Sequence, residues 1–230
     1  DSVRLLRVFH SGVMTEWRER ERAMVRHGHE VVLISAARWD EGGRGVELDP
    51  GDDAFVRPAR TFGSQPNLFV YDPRPLWRAL GDHTLDVIDI HEEPCSLAAA
   101  EVLLLRSLRR NRAPYVLYSA QNIHKRYPVP FRWFERYALR HAGGVSVCNA
   151  EAGHILGSKG PQTTAALVPL GIDIDRFAPA LRSPPTGPLH IGYVGRLESH
   201  KGVDVLLRAV AALPDARLDL AGAGPKEGEL

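Results

Sequence analysis

Near the end of the chain two cations fall in one short loop. In Gly192-Tyr-Val-Gly-Arg-Leu-Glu-Ser-His-Lys-Gly202 a strand is expected to end at Gly195 and a helix to begin near Gly202, which leaves Arg196 and Lys201 in the connection between them. A helix N-terminus presents free N–H groups and the positive end of the helix dipole, so an anion suits that position. Arg supplies a bidentate fork and Lys a point charge, the combination that holds a diphosphate and stabilises charge developing on a leaving pyrophosphate. Of the 29 Lys and Arg residues only four are lysines, Lys125, Lys159, Lys201 and Lys226, so a lysine in this loop is a marked choice. The plainer reading is an ordinary strand–loop–helix connection with solvated charges.

Three further segments carry candidate chemistry. His91-Glu92-Glu93 follows the apolar run Val87–His91. It therefore sits at the C-terminal edge of a parallel strand, where open α/β sheets bind ligands. His91 or Glu92 is expected to contact an acceptor or a sugar; the alternative is a charged loop with His91 bonded to backbone. Asp173-Ile-Asp175 has the spacing of a metal motif but precedes Phe177 in a domain-exit loop, so it reads as a cap, and no obligatory metal is expected. From Arg106 to Arg140, nine cations (Arg106, Arg109, Arg110, Arg112, Lys125, Arg126, Arg132, Arg136 and Arg140) face Glu135 as the one acid, with Tyr127, Phe131, Trp133, Phe134 and Tyr137 interleaved. Such a segment suits either contact with anionic lipid headgroups or a phosphorylated acceptor. It equally describes a helix with core aromatics on one side and solvated arginines on the other.

The elements that must position these residues alternate short apolar runs with longer amphipathic segments, the pattern of parallel strands joined by crossover helices. Strands are expected at Leu5–His10, Val31–Ser35, Val87–His91, Tyr115–Ser119, Gly144–Cys148 and Ala166–Pro169. Shorter strands are expected near Phe55–Arg57 and Leu68–Tyr71. A loop at Ser11–Thr15 leads to a helix Glu16–His27 that stops at Gly28. Further helices are expected from Pro75, from the Ser96 cap to about Arg110, over Phe131–His141, and over Ala150–Leu156 with Asn149 as cap. Glu41 to Gly51 is rich in glycine and reads as turns. The Pro-rich stretch from Phe177 to Pro188 reads as an interdomain linker. It divides a doubly wound, Rossmann-like domain over 1–182 from a second one starting at 183, with strand His190–Val194, helix Val203–Leu213 and strand Arg217–Ala221. One strand–helix–strand unit cannot close a doubly wound core, so more of this second domain is expected beyond Leu230.

Composition bounds the function classes. With 44% hydrophobic and 25% charged residues the chain is in the range of soluble globular proteins, and no apolar run reaches the roughly 20 residues of a membrane span. A net charge of +1 argues against a dedicated nucleic-acid binder. Cys95 and Cys148 alone form neither a disulfide framework nor a zinc site. With no signal-peptide pattern at Asp-Ser-Val-Arg, a cytoplasmic protein is expected, with the inner membrane face as the site of any peripheral contact. The preference for Arg and Ala suggests a bacterial source.

GYVGRLESHKGVDVLLRAV is similar to the start of the C-terminal domain in glycosyltransferase family four. In order along the chain, GHEVVLI at Gly28–Ile34, DVIDIHEEP at Asp86–Pro94, VPLGIDIDRF at Val168–Phe177 and LDLAGAGP at Leu218–Pro225 also resemble that family. The resemblance implies the two-domain GT-B architecture, with an acceptor-side N-terminal domain and a nucleotide-sugar-binding C-terminal domain. It implies retaining transfer of a sugar from a nucleotide diphosphate sugar to a carbohydrate, lipid-linked or small-molecule acceptor, with no obligatory cofactor. By this likeness Arg196 and Lys201 grip the donor phosphates, and Gly195 permits their close approach.

Departures from the family pattern also matter. Where a Gly-Gly pair is common in the first loop, Ser11-Gly12-Val13 leaves Gly12 as the close backbone approach to donor or acceptor. Where many members place a His after the fourth long strand, the loop Ala-Gln-Asn-Ile-His puts Gln121 or Asn122, whose amides bond sugar hydroxyls but do not act as a general base. The Glu-x7-Glu segment that similar enzymes use on the donor sugar is expected beyond Leu230, so this stretch alone is expected to be inactive. A nucleotide-sugar epimerase of the same shape, or a non-catalytic sugar-binding module, remains the alternative.

Overall fold

The computed structural model describes residues 2–41, 43–160, 165–171, 174 and 187–230. The chain forms two compact units, one of Asp1–Trp39 with Val46–Gly171, the other of Asp40–Gly45 with Ile172–Leu230. Residues 177–186 of the expected Phe177–Pro188 linker, the 182/183 boundary and the Asp173/Asp175 pair lie outside the described residues.

The first unit is built on a seven-stranded sheet. Its strands are β1 (Arg4–Val8), β2 (Glu30–Ala36), β5 (Val56–Ala59), β8 (Val87–Ile90), β9 (Tyr115–Ser119), β10 (Gly144–Val147) and β11 (Ala166–Leu167). They lie in the order β11-β10-β9-β8-β1-β2-β5, and every neighbouring pair is parallel. The Val, Ile and Leu runs that suggested strands are buried on both faces, as a helix-covered parallel sheet requires. Leu6, Leu33, Ile88, Ile90 and Leu117 are all inaccessible. From β1 the chain winds outward through β2 to β5, then crosses back to β8 and winds the other way. The order therefore reverses between β1 and β8, and the switch point lies where their C-terminal ends are adjacent.

Two small ribbons interrupt this pattern: β3 (Arg38–Glu41) with β4 (Arg44–Glu47), and β6 (Thr61–Phe62) antiparallel with β7 (Val70–Tyr71). The first lies where turns alone were expected. Its tip holds Gly43 at φ +90, the left-handed backbone that glycine adopts without strain.

Helices begin at caps legible in the sequence. Ser96 accepts from the Ala99 N–H at the start of α3 (Leu97–Leu108), and Asn149 accepts from Ala152 at the start of α5 (Ala150–Gly157). Asp72 caps α2 (Pro73–Ala79), which starts two residues earlier than the Pro75 signal suggested. Between them runs α4 (Phe131–His141), packed on α3. The expected helix Glu16–His27 is only α1 (Glu19–Arg26), preceded by 3-10 turns at His10–Val13 and Thr15–Arg18. Arg18 explains the delay. Its buried guanidinium donates to the carbonyls of Gly12, Val13 and Asp49 and pairs with Asp53 at 3.1 Å, so it holds these turns open against a regular helix.

The second unit contains β12 (Leu189–Val194), α6 (Val203–Ala211) and β13 (Ala216–Ala221), with β12 and β13 parallel. This is the strand–helix–strand order expected from the sequence.

Candidate functional site

The switch point of the large sheet carries a group that sequence reading placed only as the end of a strand: His10. Phe9 continues β1 by donating to Ile34, and His91 continues β8 by donating to Val8. This brings His10 and Glu92 side by side from positions 82 apart. The Glu92 carboxylate accepts from the His10 backbone N–H at 2.7 Å through Oε1 and meets His10 Nδ1 at 2.6 Å through Oε2. Tyr71 O–H donates to Oε1 at 2.7 Å. Burial, and then the charge of Glu92, raise the Tyr71 pKa well above its ordinary 10, so the phenol stays a donor. An ionised carboxylate only accepts, so His10 carries its proton on Nδ1.

Aromatic rings wall the imidazole: Trp39 lies 4.5 Å from it, Phe69 5.2 Å and Phe9 5.9 Å, centroid to centroid. Phe69 in turn packs on Trp39 and Tyr71. A carboxylate-oriented histidine in an apolar surround has both its tautomer and its direction set before any ligand arrives.

The residues expected to contact an acceptor are placed differently from one another. Glu92 is 2% exposed and spends its oxygens on His10 and Tyr71. His91 is 8% exposed, stacked on Tyr118 at 3.8 Å with Phe9 edge-on at 4.4 Å. Burial, and then the nearby Arg7, Arg20 and His10, push its pKa well below 6.5, the behaviour of a neutral core histidine. Gln121 is committed through both ends of its amide, donating to Tyr127 Oη at 2.8 Å and accepting from Lys159 Nζ at 2.6 Å. Asn122 is exposed and its amide makes no hydrogen bond among the described residues. Glu93 accepts from Ser119 Oγ and the Ala120 N–H; burial nevertheless raises its pKa.

Packing accounts for Gly12. A Cβ there would meet Ser35 Oγ at 3.0 Å and Leu33 Cδ2 at 3.1 Å, its N–H is bonded to Phe9 and its carbonyl accepts from Arg18. The close approach at Gly12 in this structure is to side chains of β2.

Beneath the switch point lies a buried charge network. Arg7 on β1 bonds Asp89, its register partner on β8, and Glu21 on α1. Next to Glu21 on α1, Arg20 is partly buried with no hydrogen bond or ion pair among the described residues. Burial, and then repulsion by Arg7, lower its pKa, offset in part by the charges of Asp89 and Glu21. Sequence reading missed Arg20 because nothing local separates it from the solvated arginines beside it.

In the second unit the loop expected to hold phosphates is built by glycines. The segment after β12 continues alongside the one after β13: Gly195 donates to Ala221, Leu197 to Ala223, and Lys226 to Leu197. A Cβ on Gly222 would lie 1.9 Å from the Gly195 oxygen, and one on Gly224 2.4 Å from the Leu197 oxygen, so both must be glycine. Tyr193 Oη packs against Gly195 and donates to the Arg196 carbonyl. Arg196 itself pairs with Glu198 at 3.1 Å, while Lys201 is exposed without a carboxylate partner among the described residues. Gly202, at φ +67, starts α6.

Among the described residues, no three His, Cys, Asp or Glu side chains group to hold a metal ion, and no helix is long and apolar enough to cross a membrane.

Comparison with known structures finds the same fold. Anabaena HepE, crystallised with UDP-glucose, aligns at TM-score 0.60 and 13% identity over 98% of this chain and 62% of its own. A UDP-N-acetylglucosamine 2-epimerase aligns at 0.53 and 11% identity, over 95% of this chain and 63% of its own. The chain thus spans less than two thirds of these proteins. No curated protein sequence matches it. The sequence profile of Glycosyltransferase Family 4, however, matches residues 11–176, which begin just after His10 and include Tyr71 and Glu92, and by that match the chain belongs to glycosyltransferase family 4.

Proposed function

We propose that the protein transfers a sugar, with retention, from a nucleotide diphosphate sugar to a carbohydrate, lipid-linked or small-molecule acceptor. The observation that carries this reading is the family match over residues 11–176, in a unit whose sheet places His10 and Glu92 at its topological switch point. In this reading the first unit receives the acceptor. His10, oriented by Glu92, hydrogen-bonds an acceptor or sugar hydroxyl, and Asn122 offers a second amide at the same edge of the sheet. Arg20 supplies a cation for a negatively charged part of the substrate. The role expected of His91 and Glu92 becomes one of support: Glu92 positions His10, and His91 packs beneath it.

The second unit holds the donor diphosphate through Lys201, Arg196 and the backbone at Gly195. Lys201 is already unengaged, whereas Arg196 must exchange Glu198 for phosphate. Retention is supported by the family resemblance, in which the leaving phosphate assists deprotonation of the acceptor and no protein nucleophile is required. The fold alone does not separate a transferase from an epimerase, since a protein crystallised with UDP-glucose and a UDP-N-acetylglucosamine 2-epimerase both share it; the family match favours transfer.

The test is acceptor-dependent release of nucleoside diphosphate from a panel of nucleotide sugars, with the product anomer assigned by NMR. Release together with a retained anomeric configuration is expected. Interconversion of the donor sugar without any acceptor would instead establish the epimerase.

A further inference from the structure

Arg4, Arg7, Arg18, Arg22, Arg26 and Arg74 of the first unit each pair with a carboxylate. Arg132, Arg136 and Arg140 are among the arginines that pair with none among the described residues, and all three are exposed on one helix. They recur every four residues along α4 and so form one ridge of that helix. The adjacent ridge is Trp133, Tyr137 and His141, with Trp133 60% and Tyr137 55% exposed and the Tyr137 and His141 rings 4.5 Å apart. Glu135, the one acid of the segment, points inward, where it is buried and neutralised by Lys159 at 2.9 Å. The outward face of α4 is therefore basic and aromatic with no acid on it.

A cavity of about 430 Å³ opens at this face, lined by Arg136, Tyr137, Arg140, His141, Lys159 and Gly160. Its polar lining is dominated by cations and donors, which suits a phosphate group. Lys159 spans from this cavity to Gln121 at the C-terminal edge of β9, since it bonds both Glu135 and Gln121.

We propose that α4 is a docking surface for an anionic phospholipid bilayer, with a headgroup phosphate seated in the Arg136–Arg140 cavity and the Trp133 and Tyr137 rings at the headgroup level. Half-exposed Trp and Tyr rings bring an apolar body and a polar tip, the chemistry of the membrane interface, and arginines beside them are attracted to an anionic leaflet. Charge complementarity decides the occupant: the chain as a whole carries only +1, so the attraction is local to this face. A single-stranded nucleic acid would call for a groove with stacking platforms along it, whereas α4 presents a convex ridge. The inference concerns the first unit alone and stands apart from sugar transfer, because vesicle binding needs neither donor nor acceptor.

The experiment is co-sedimentation of the protein with vesicles of phosphatidylcholine alone and of phosphatidylcholine mixed with phosphatidylglycerol, at low and high salt. Binding to the mixed vesicles only, weakened by salt, is expected. The triple variant R132A/R136A/R140A should weaken it on the order of 100-fold, from the attraction of three surface cations. W133A/Y137A should weaken binding while leaving its salt dependence intact. All five side chains are exposed, and unchanged circular dichroism and melting confirm folding. A loss below about tenfold in the arginine variant overturns the proposal. So does equal binding to both vesicle types, and so does binding of soluble glycerol phosphate or an RNA oligonucleotide in place of vesicles.

Discussion

Replacing Glu92 by Gln tests the switch-point constellation with almost no change of shape. In the native site Oε1 accepts from the His10 N–H and Tyr71 O–H, and Oε2 faces His10 Nδ1, all at 2.6 to 2.7 Å. The amide of Gln keeps one acceptor, which remains best placed at the Oε1 position because two donors converge there. Its NH2 then faces His10 Nδ1, and two donors cannot share that position, so the imidazole must move its proton to Nε2. Charge-assisted hydrogen bonds contribute about 1.5–3 kcal/mol and neutral ones about 0.5–1.5, so the exchange costs about 1 kcal/mol of stability. That corresponds to a melting temperature lower by about 2–4 °C for a unit of this size. Glu92→Ala is harsher. It removes the acceptor from three donors at a position only 2% exposed, at about 1–3 kcal/mol for each group left unpaired. The assay is 15N NMR of the histidine side chains, in which the two ring nitrogens report where the proton resides, together with melting curves. Transfer should fall by at least about tenfold in Glu92→Gln, equivalent to about 1.4 kcal/mol of lost positioning. An unchanged His10 tautomer would refute the assignment of Glu92 as the group that orients it.

Three other outcomes follow from the geometry. Lys201→Ala should weaken nucleoside diphosphate binding by at least about tenfold with folding intact, whereas Glu198→Ala, which frees Arg196, should tighten it; titration calorimetry reads both, and equal affinities would remove the loop from the donor site. Glu101 accepts from the Tyr71 N–H, and burial raises its pKa to about 7. The folded state thus binds its proton more tightly than the unfolded one, and the stability it contributes is present below about pH 4.5 and lost as the pH rises to about 7. Glu101→Gln should therefore melt higher than the native protein above pH 7, by about 1–2 kcal/mol once solvent screening is allowed for, and lose that advantage below about pH 4.5; a pH-independent difference would contradict it. Gly222→Ala drives a methyl group to within 1.9 Å of the Gly195 oxygen and should destabilise the second unit by about 1–3 kcal/mol, visible as loss of amide protection in β12 and β13 with the first unit unchanged.

Local signals determined a good deal. The Val/Ile/Leu runs of β1, β2, β8, β9 and β10 declare strands because burial on both faces demands continuous apolar residues. Ser96 and Asn149 declare helix starts because a side-chain oxygen must satisfy the first free N–H groups. The alternation of these elements suffices for a doubly wound sheet, and the ordered motifs for the family. Where α1 begins was not legible, because Arg18 bonds carbonyls on both sides of a 31-residue separation from Asp49. Nor was His10, whose partner lies 82 residues away. Charge type and spacing identify which residues are able to do chemistry; only the sheet order, which places the ends of β1 and β8 side by side, determines that His10 rather than His91 is held by a carboxylate. Hydrogen bonds and close packing act through space, so the buried His91, the committed Gln121 and the glycines abutting Gly195 and Leu197 acquire their roles from neighbours that the order of residues along the chain does not name.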